Sequence, residues 1–156
     1  MDKSLSSSYK SFGGLTQSQV PWLIWLLENP DSPMALAGAI SLREHDYLHL
    51  LLDRGKSAED EAFVIGFTMG NDTHLNVIHT WIFKLASLFL YPKKYRFTRA
   101  HLKIFDQGVR SGERLPIKNL CRFDYSYIEG VNVEQLRSAL KIDEVLLNQV
   151  GRNSPP

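Results

Sequence analysis

The sequence predicts an all-α protein, a single-domain helical bundle, and three observations carry that prediction. Apolar residues recur at helical spacing along most of the chain, no segment alternates as a strand would, and cap and break residues divide the pattern into helix-length pieces. A chain of 156 residues with 44% hydrophobic and 22% charged content fits one ordinary globular domain. That domain is expected over residues 13–150, between a flexible N-terminus (1–12) and a flexible tail (151–156).

The elements follow in order. A first helix is expected over Thr16 to Glu28, with Pro21 tolerated near its start, and Asn29-Pro30-Asp31-Ser32-Pro33 breaks it. Pro33 suits the position that opens a short helix over Met34 to Ile40. Ser41-Leu42-Arg43-Glu44 reads as a capping box for a helix running to about Asp53 and ended by Arg54-Gly55. Ser57 followed by Glu59 and Asp60 caps the next, which should reach Gly70. Thr73 offers a cap for a helix ending near Leu90, before Pro92. Its wide stripe of Ile78, Trp81, Ile82, Leu85, Leu88 and Phe89 predicts burial in a core, a dimer interface or a lipid chamber. Thr98 to Arg110 is the next helix, followed by a turn at Gly112, and Val133 to Leu140 and Asp143 to Val150 close the chain.

Composition narrows the partners. A formal net charge of +1 provides no global field for nucleic acid, and no nucleic-acid partner is expected. The lone cysteine, Cys121, excludes an internal disulfide or a multi-cysteine zinc finger and reads as a small buried hydrophobe. The apolar runs Trp22 to Leu27 and Val77 to Leu90 are too short or too interrupted to span a bilayer, which needs about 20 apolar residues. The expected location is cytoplasmic or peripheral on the inner face of a membrane. Four cations among aromatics in Pro92 to Arg99 suit a solvated loop, with anionic headgroups as the functional alternative.

Chemistry concentrates at His45-Asp46-Tyr47-Leu48-His49. Residues four apart on a helix are separated by about 40° in rotation and about 6 Å in rise, so both imidazoles can reach one metal. Asp46 lies about 60° beyond His49 around the same helix. Glu61 follows after eleven intervening residues, in the first turn of the next expected helix, and a tight reversal at Arg54-Gly55-Lys56 would bring it across. Histidine pairs at this spacing are common on helix surfaces without a ligand; the acid between them and the glutamate opposite make this one a candidate. Two imidazoles and one or two carboxylates suit zinc, and also iron or manganese.

Three known site types fit poorly. A zincin protease carries glutamate, not Asp46, after the first histidine. A phosphohydrolase of the HD type needs a histidine upstream, and none precedes His45. A four-helix di-iron site needs two Glu-x-x-His motifs, whereas only Asp46-x-x-His49 approximates one. Asp53 and Glu59 are acid–base candidates by sequence proximity alone, with solvated hairpin charges as their default reading. Tyr47, His74 and His79 read as structural.

The spacing H-D-x-x-H, eleven residues, then E resembles the signature of the coenzyme Q biosynthesis protein 4 family of ubiquinone biosynthesis. The likeness continues through Ile104-Phe105-Asp106-Gln107-Gly108-Val109-Arg110, Leu120, Asp124 and Val133-Glu134-Gln135-Leu136-Arg137, covering about Leu42 to Ile142. Asp60 stands where that family usually has glycine and only 44 residues precede the motif, which marks a short or divergent member. The resemblance implies an all-helical fold and a divalent metal, usually zinc, held by His45, Asp46, His49 and Glu61. It implies binding of a polyprenylated quinone precursor, oxidative decarboxylation at ring carbon one, peripheral membrane contact, and a role organising the other quinone-biosynthesis proteins. The alternative is a non-catalytic prenyl-lipid-binding scaffold. Phe63, Ile65, Phe67 and Met69 with the apolar helix Asn76 to Leu90 are candidates to line a channel for the isoprenoid tail, with ordinary core packing as the default reading, and that helix also suits a homodimer.

Overall fold

The computed structural model describes residues 3–150, so the tail expected at 151–156 lies outside the described residues. Eight α-helices follow in order: α1 (Leu5–Phe12), α2 (Trp22–Glu28), α3 (Leu42–Leu51), α4 (Ala58–Asn71), α5 (Val77–Leu85), α6 (Arg99–Arg114), α7 (Val133–Ala139) and α8 (Ile142–Val150). The described residues contain no strand, only an isolated bridge between Ser4 and Asn132. The all-α class stands.

The axle of the fold is the α4–α6 pair, and glycine sets its spacing. Gly66 and Gly70 on α4 face Gly108 and Gly112 on α6, each four residues apart. A Cβ on Gly66 would lie 2.1 Å from the Phe105 carbonyl oxygen, and one on Gly108 would lie 2.2 Å from that of Phe63. The two backbones therefore touch directly, the small-residue packing used where helices approach closely. Gly112, expected in a turn, lies inside α6, which continues to Arg114. Helical spacing from Gly108 puts it back on the contact face.

Two apolar cores flank this pair. One gathers Tyr47, Leu48, Phe63, Phe67, Leu120 and Tyr125, and the second Leu27, Leu36, Phe83, Tyr91, Phe97 and Phe105. Of the four α4 residues expected to line a channel, Phe63 and Phe67 belong to solid core, while Ile65 and Met69 line a cavity.

Several boundaries differ from expectation for identifiable reasons. The N-terminus expected to be flexible forms α1, capped by Ser4, with Leu5 fully buried; Leu5 and Ser6 donate backbone hydrogen bonds to the Val131 and Glu129 carbonyls. The helix expected from Thr16 begins at Trp22, because Pro21 occupies the position before it, and only a short 3₁₀ turn, Gln17–Gln19, precedes it. Residues 34–40 are turns and extended chain rather than helix. Gly38 adopts φ +82°, its amide donates to Asp72 Oδ2 at 2.8 Å, and a Cβ there would lie 2.6 Å from the Met69 backbone. That approach to α4 is possible only outside a helix.

Asn76, not Thr73, caps α5. The π-helical turn Ala86–Leu90 continues it toward Pro92. Of the settings expected for this helix, the chain's own core receives Phe83, while Val77, Trp81, Leu85 and Phe89 stand 49–69% exposed. Among the described residues, no helix is long and apolar enough to cross a membrane.

Candidate metal centre

Local sequence builds the two halves of the site. Ser41 caps α3 by accepting from the Glu44 amide, and Ser57 and Asp60 form a reciprocal capping box at α4. Between them Asp53 takes φ +54°, starting the reversal one residue before the expected Arg54-Gly55-Lys56 turn. α3 carries His45 and His49 one turn apart, and the first turn of α4 carries Glu61.

The reversal brings the three side chains together. His45 Nε2 lies 3.0 Å from His49 Nε2 and 3.1 Å from Glu61 Oε2, and His49 Nε2 lies 3.5 Å from the same oxygen. Ligand atoms on a tetrahedral zinc about 2.0–2.1 Å away are separated by roughly 3.3 Å. The three edges bracket that value, so the donor set fits a divalent cation, and His45, His49 and Glu61 form a group that could hold one.

His49 is oriented from behind. Its Nδ1 lies 2.7 Å from the Gly55 carbonyl oxygen, an acceptor only, so Nδ1 carries the proton and Nε2 presents a lone pair. Metal-binding histidines are characteristically held this way. The ring is 1% exposed and packs against Phe12 at 5.6 Å between centroids, which gives α1 a role in the site. Lys56, which lies over the Phe12 ring, donates to the Gly13 carbonyl and ties that end of α1 to the reversal.

Electrostatics follow the same geometry. Burial opposes ionisation of Glu61, yet the imidazoles of His45 and His49 beside it hold its carboxyl well below the usual carboxylate range. Burial works against a charged His45, and Glu61 outweighs it, so the imidazole is more basic than usual.

Asp46 falls outside this group. Its carboxylate lies along Gly14, where an added Cβ would come within 1.8 Å of Oδ2. Burial raises its proton affinity, and the charges of His45, His49 and Lys56 oppose that. It lines the cavity next to the triad instead of closing the triangle. Asp53 is 84% exposed at its side chain and pairs with Arg137, 3.2 Å away, and Glu59 is exposed, so neither serves the site. Cys121 is buried and its thiol pushed up to about 11, first by that burial, as befits a packed hydrophobe.

Through His45 and Glu61 the triad borders a half-open cavity of about 390 Å³, within the size range of small-molecule sites. Its walls are mainly apolar, with Leu27, Leu36, Ile65, Met69, Phe83 and Phe97 among them. The Leu36 to Ile40 wall is fastened to the end of α4 by Asp72, which accepts from the Gly38 amide and at 2.6 Å from Arg122. Burial works against the charged form of Asp72; the Arg122 guanidinium prevails and holds its carboxyl well below the usual range. His74 and His79 are structural, the first against Asp72 and the second accepting from the Ala37 amide.

One pair in this cavity escaped the sequence reading. Glu28, the last residue of α2, lines the cavity and accepts from the Tyr91 hydroxyl at 2.5 Å. Burial pushes its carboxyl up to about 7, and Tyr91 and His45 only partly offset this. An acid ending a Trp-Leu-rich helix is unremarkable in sequence, and Tyr91 lies 63 residues away. Compared with protein-family models, with curated proteins and with solved structures, the chain matches none.

Proposed function

We propose that the protein is a zinc-binding protein of ubiquinone biosynthesis that takes up a polyprenylated aromatic precursor and acts in its oxidative decarboxylation. The observation that carries this reading is the His45–His49–Glu61 triangle at the wall of an apolar, half-open cavity. The spacing of the motif supports the family, and the cavity supports a ligand with an oxygen-bearing ring and an apolar tail.

Zinc held by His45, His49 and Glu61 would supply a Lewis acid for a ring phenolate or carboxylate. The chain's own residues do the remainder. His49 is fixed by the Gly55 carbonyl, Glu61 balances the charge of the bound cation, and Asp46 offers a carboxylate beside the triad. Apolar walls exclude water from the ring and hold the tail. In the scaffold alternative the same cavity holds the prenyl lipid for other quinone-biosynthesis proteins without turnover.

The α5 face supports a membrane contact for this reading. Val77, Ile78, Trp81, Leu85, Phe89 and Leu90 are exposed on one short stretch, and Lys93, Lys94, Arg96 and Arg99 follow it. Adjacent apolar and cationic groups suit an anionic bilayer surface, which we take as the occupant of this face.

Native mass spectrometry of zinc-supplemented protein tests the metal. One zinc per chain is expected in the wild type, with at least a hundredfold weaker uptake in His49→Ala; undiminished uptake in that variant overturns the site. Incubation with a prenylated hydroxybenzoate and dioxygen then tests the chemistry, read as carbon dioxide release and product mass. Loss of turnover with the metal supports the enzyme, whereas lipid retention without turnover in wild type and variant alike supports the scaffold.

A further inference from the structure

Two polar poles face this one apolar cavity: His45 and Glu61 of the metal triad, and Glu28 with Tyr91. The second has no role in holding a metal, because Glu28 lies outside the group of ligand atoms found within 4.8 Å of one another. Nor does it serve the fold as an ion pair, since the ion pairs of the described residues do not include Glu28. Its backbone carbonyl, by contrast, is structural and accepts from the Ile40 amide at 3.1 Å.

The charged and titratable groups around Glu28 come from three elements. Tyr91 follows the π turn, His45 lies on α3, and Glu61 lies on α4. Arg96, on the same wall, spends its guanidinium on the Tyr91 carbonyl, 3.1 and 3.2 Å away. Among the described residues Glu28 therefore forms no ion pair; Lys56 and Lys94 also line the cavity, and the cationic neighbour that bears on its charge is His45. Tyr91 is 3% exposed and donates to Oε1. An uncharged carboxyl group keeps one O–H, and with one oxygen already occupied by Tyr91 that O–H is available to whatever fills the cavity.

We propose that Glu28, steadied by Tyr91, is a ligand-binding residue of this cavity, donating a hydrogen bond to an oxygen on the ring of the bound molecule. This rests on the cavity being the ligand site and sharpens its ligand class: an aryl carboxylate or phenol with an apolar tail. A purely apolar isoprenoid would leave the donor unmatched inside an apolar wall, and such unpaired groups are penalised strongly. The two poles together therefore select for oxygen on the ring.

The test uses the zinc-loaded full chain at pH 6, with 4-octylbenzoate and octylbenzene as probes, followed by calorimetry. Wild type should bind the benzoate at least tenfold more tightly than the hydrocarbon. Glu28→Leu should lose most of that preference while binding octylbenzene as well as wild type or better, which also shows that the cavity is intact. Glu28→Gln, which retains an N–H donor, should restore the preference. If Glu28→Leu keeps the full preference, or Glu28→Gln behaves like Glu28→Leu, the assignment is overturned. His49→Ala separates the two claims. Preference lost there and kept in Glu28→Leu leaves the metal reading standing alone, the opposite pattern leaves Glu28 standing alone, and no preference in wild type removes both.

Discussion

At the scale of the residue, the site depends on groups whose protonation is set by what surrounds them. His49 is left with a free Nε2 lone pair by one backbone carbonyl, and Glu61 is kept ionised by two imidazoles in a place where burial alone would protonate it. Glu28 is the opposite case, an acid that burial pushes up to about 7. The sign of its effect on stability follows by linkage. A carboxyl with a raised folded-state pKa contributes most below its unfolded value near 4.5, and that contribution is lost as pH rises through about 7. Metal-free protein should therefore lose stability between pH 5 and pH 8, by roughly 3 kcal/mol from this group. His45, also more basic than usual, adds loss in the same direction. Chemical denaturation at the two pH values, with and without Glu28→Leu, isolates the first contribution; an equal loss in the variant would show that Glu28 is not its source.

At the scale of the element, the α4–α6 contact is the most demanding feature. Its four glycines leave no room for a methyl group against the opposing backbone. Gly108→Ala must push two helices apart, since the nearest atom is the Phe63 carbonyl and no flexible side chain can yield. A loss of about 3 kcal/mol is expected, at the upper end of overpacking, readable as a lower urea midpoint with an unchanged slope. A shift below a quarter of that would mean that the helices separate easily. Glu61 sits on α4, so the same variant should also loosen the triad and weaken zinc uptake. By contrast, α5 contributes Phe83 to the core and leaves most of its length outside.

At the scale of the whole molecule, that exposed α5 face and the cations beyond it carry the proposed contact with an anionic bilayer. Flotation with vesicles containing a quarter phosphatidylserine should recover most of the wild-type chain, and recovery should fall several-fold in 0.5 M salt or in Trp81→Ser/Phe89→Ser, which leaves the buried core untouched. Recovery that is indifferent to both changes would point elsewhere. A concentration-dependent dimer lost in the same double variant would assign the face to a second copy of the chain.

Much of this was legible in the amino-acid order because it is local. Capping residues Ser41, Ser57 and Thr98 opened helices where expected, and the four-residue step from His45 to His49 placed both rings on one side of a helix without help from the rest of the chain. Glu61 was legible too, since a tight hairpin leaves its helix little choice. What only the tertiary structure decided are the features made by residues far apart in the chain. Leu5 orders the N-terminus by finding a core built mainly from later elements, and Gly38 refuses a helix because the α4 backbone fills the space beside it. Asp46 stands on the expected helix but was turned to Gly14 by packing that no spacing rule contains. Glu28 gains its chemistry from Tyr91 and the enclosing walls. Backbone hydrogen bonding and side-chain periodicity act over a few residues and can be read along the chain, whereas burial, which sets both proton affinity and the shape of a cavity, exists only once distant segments have met.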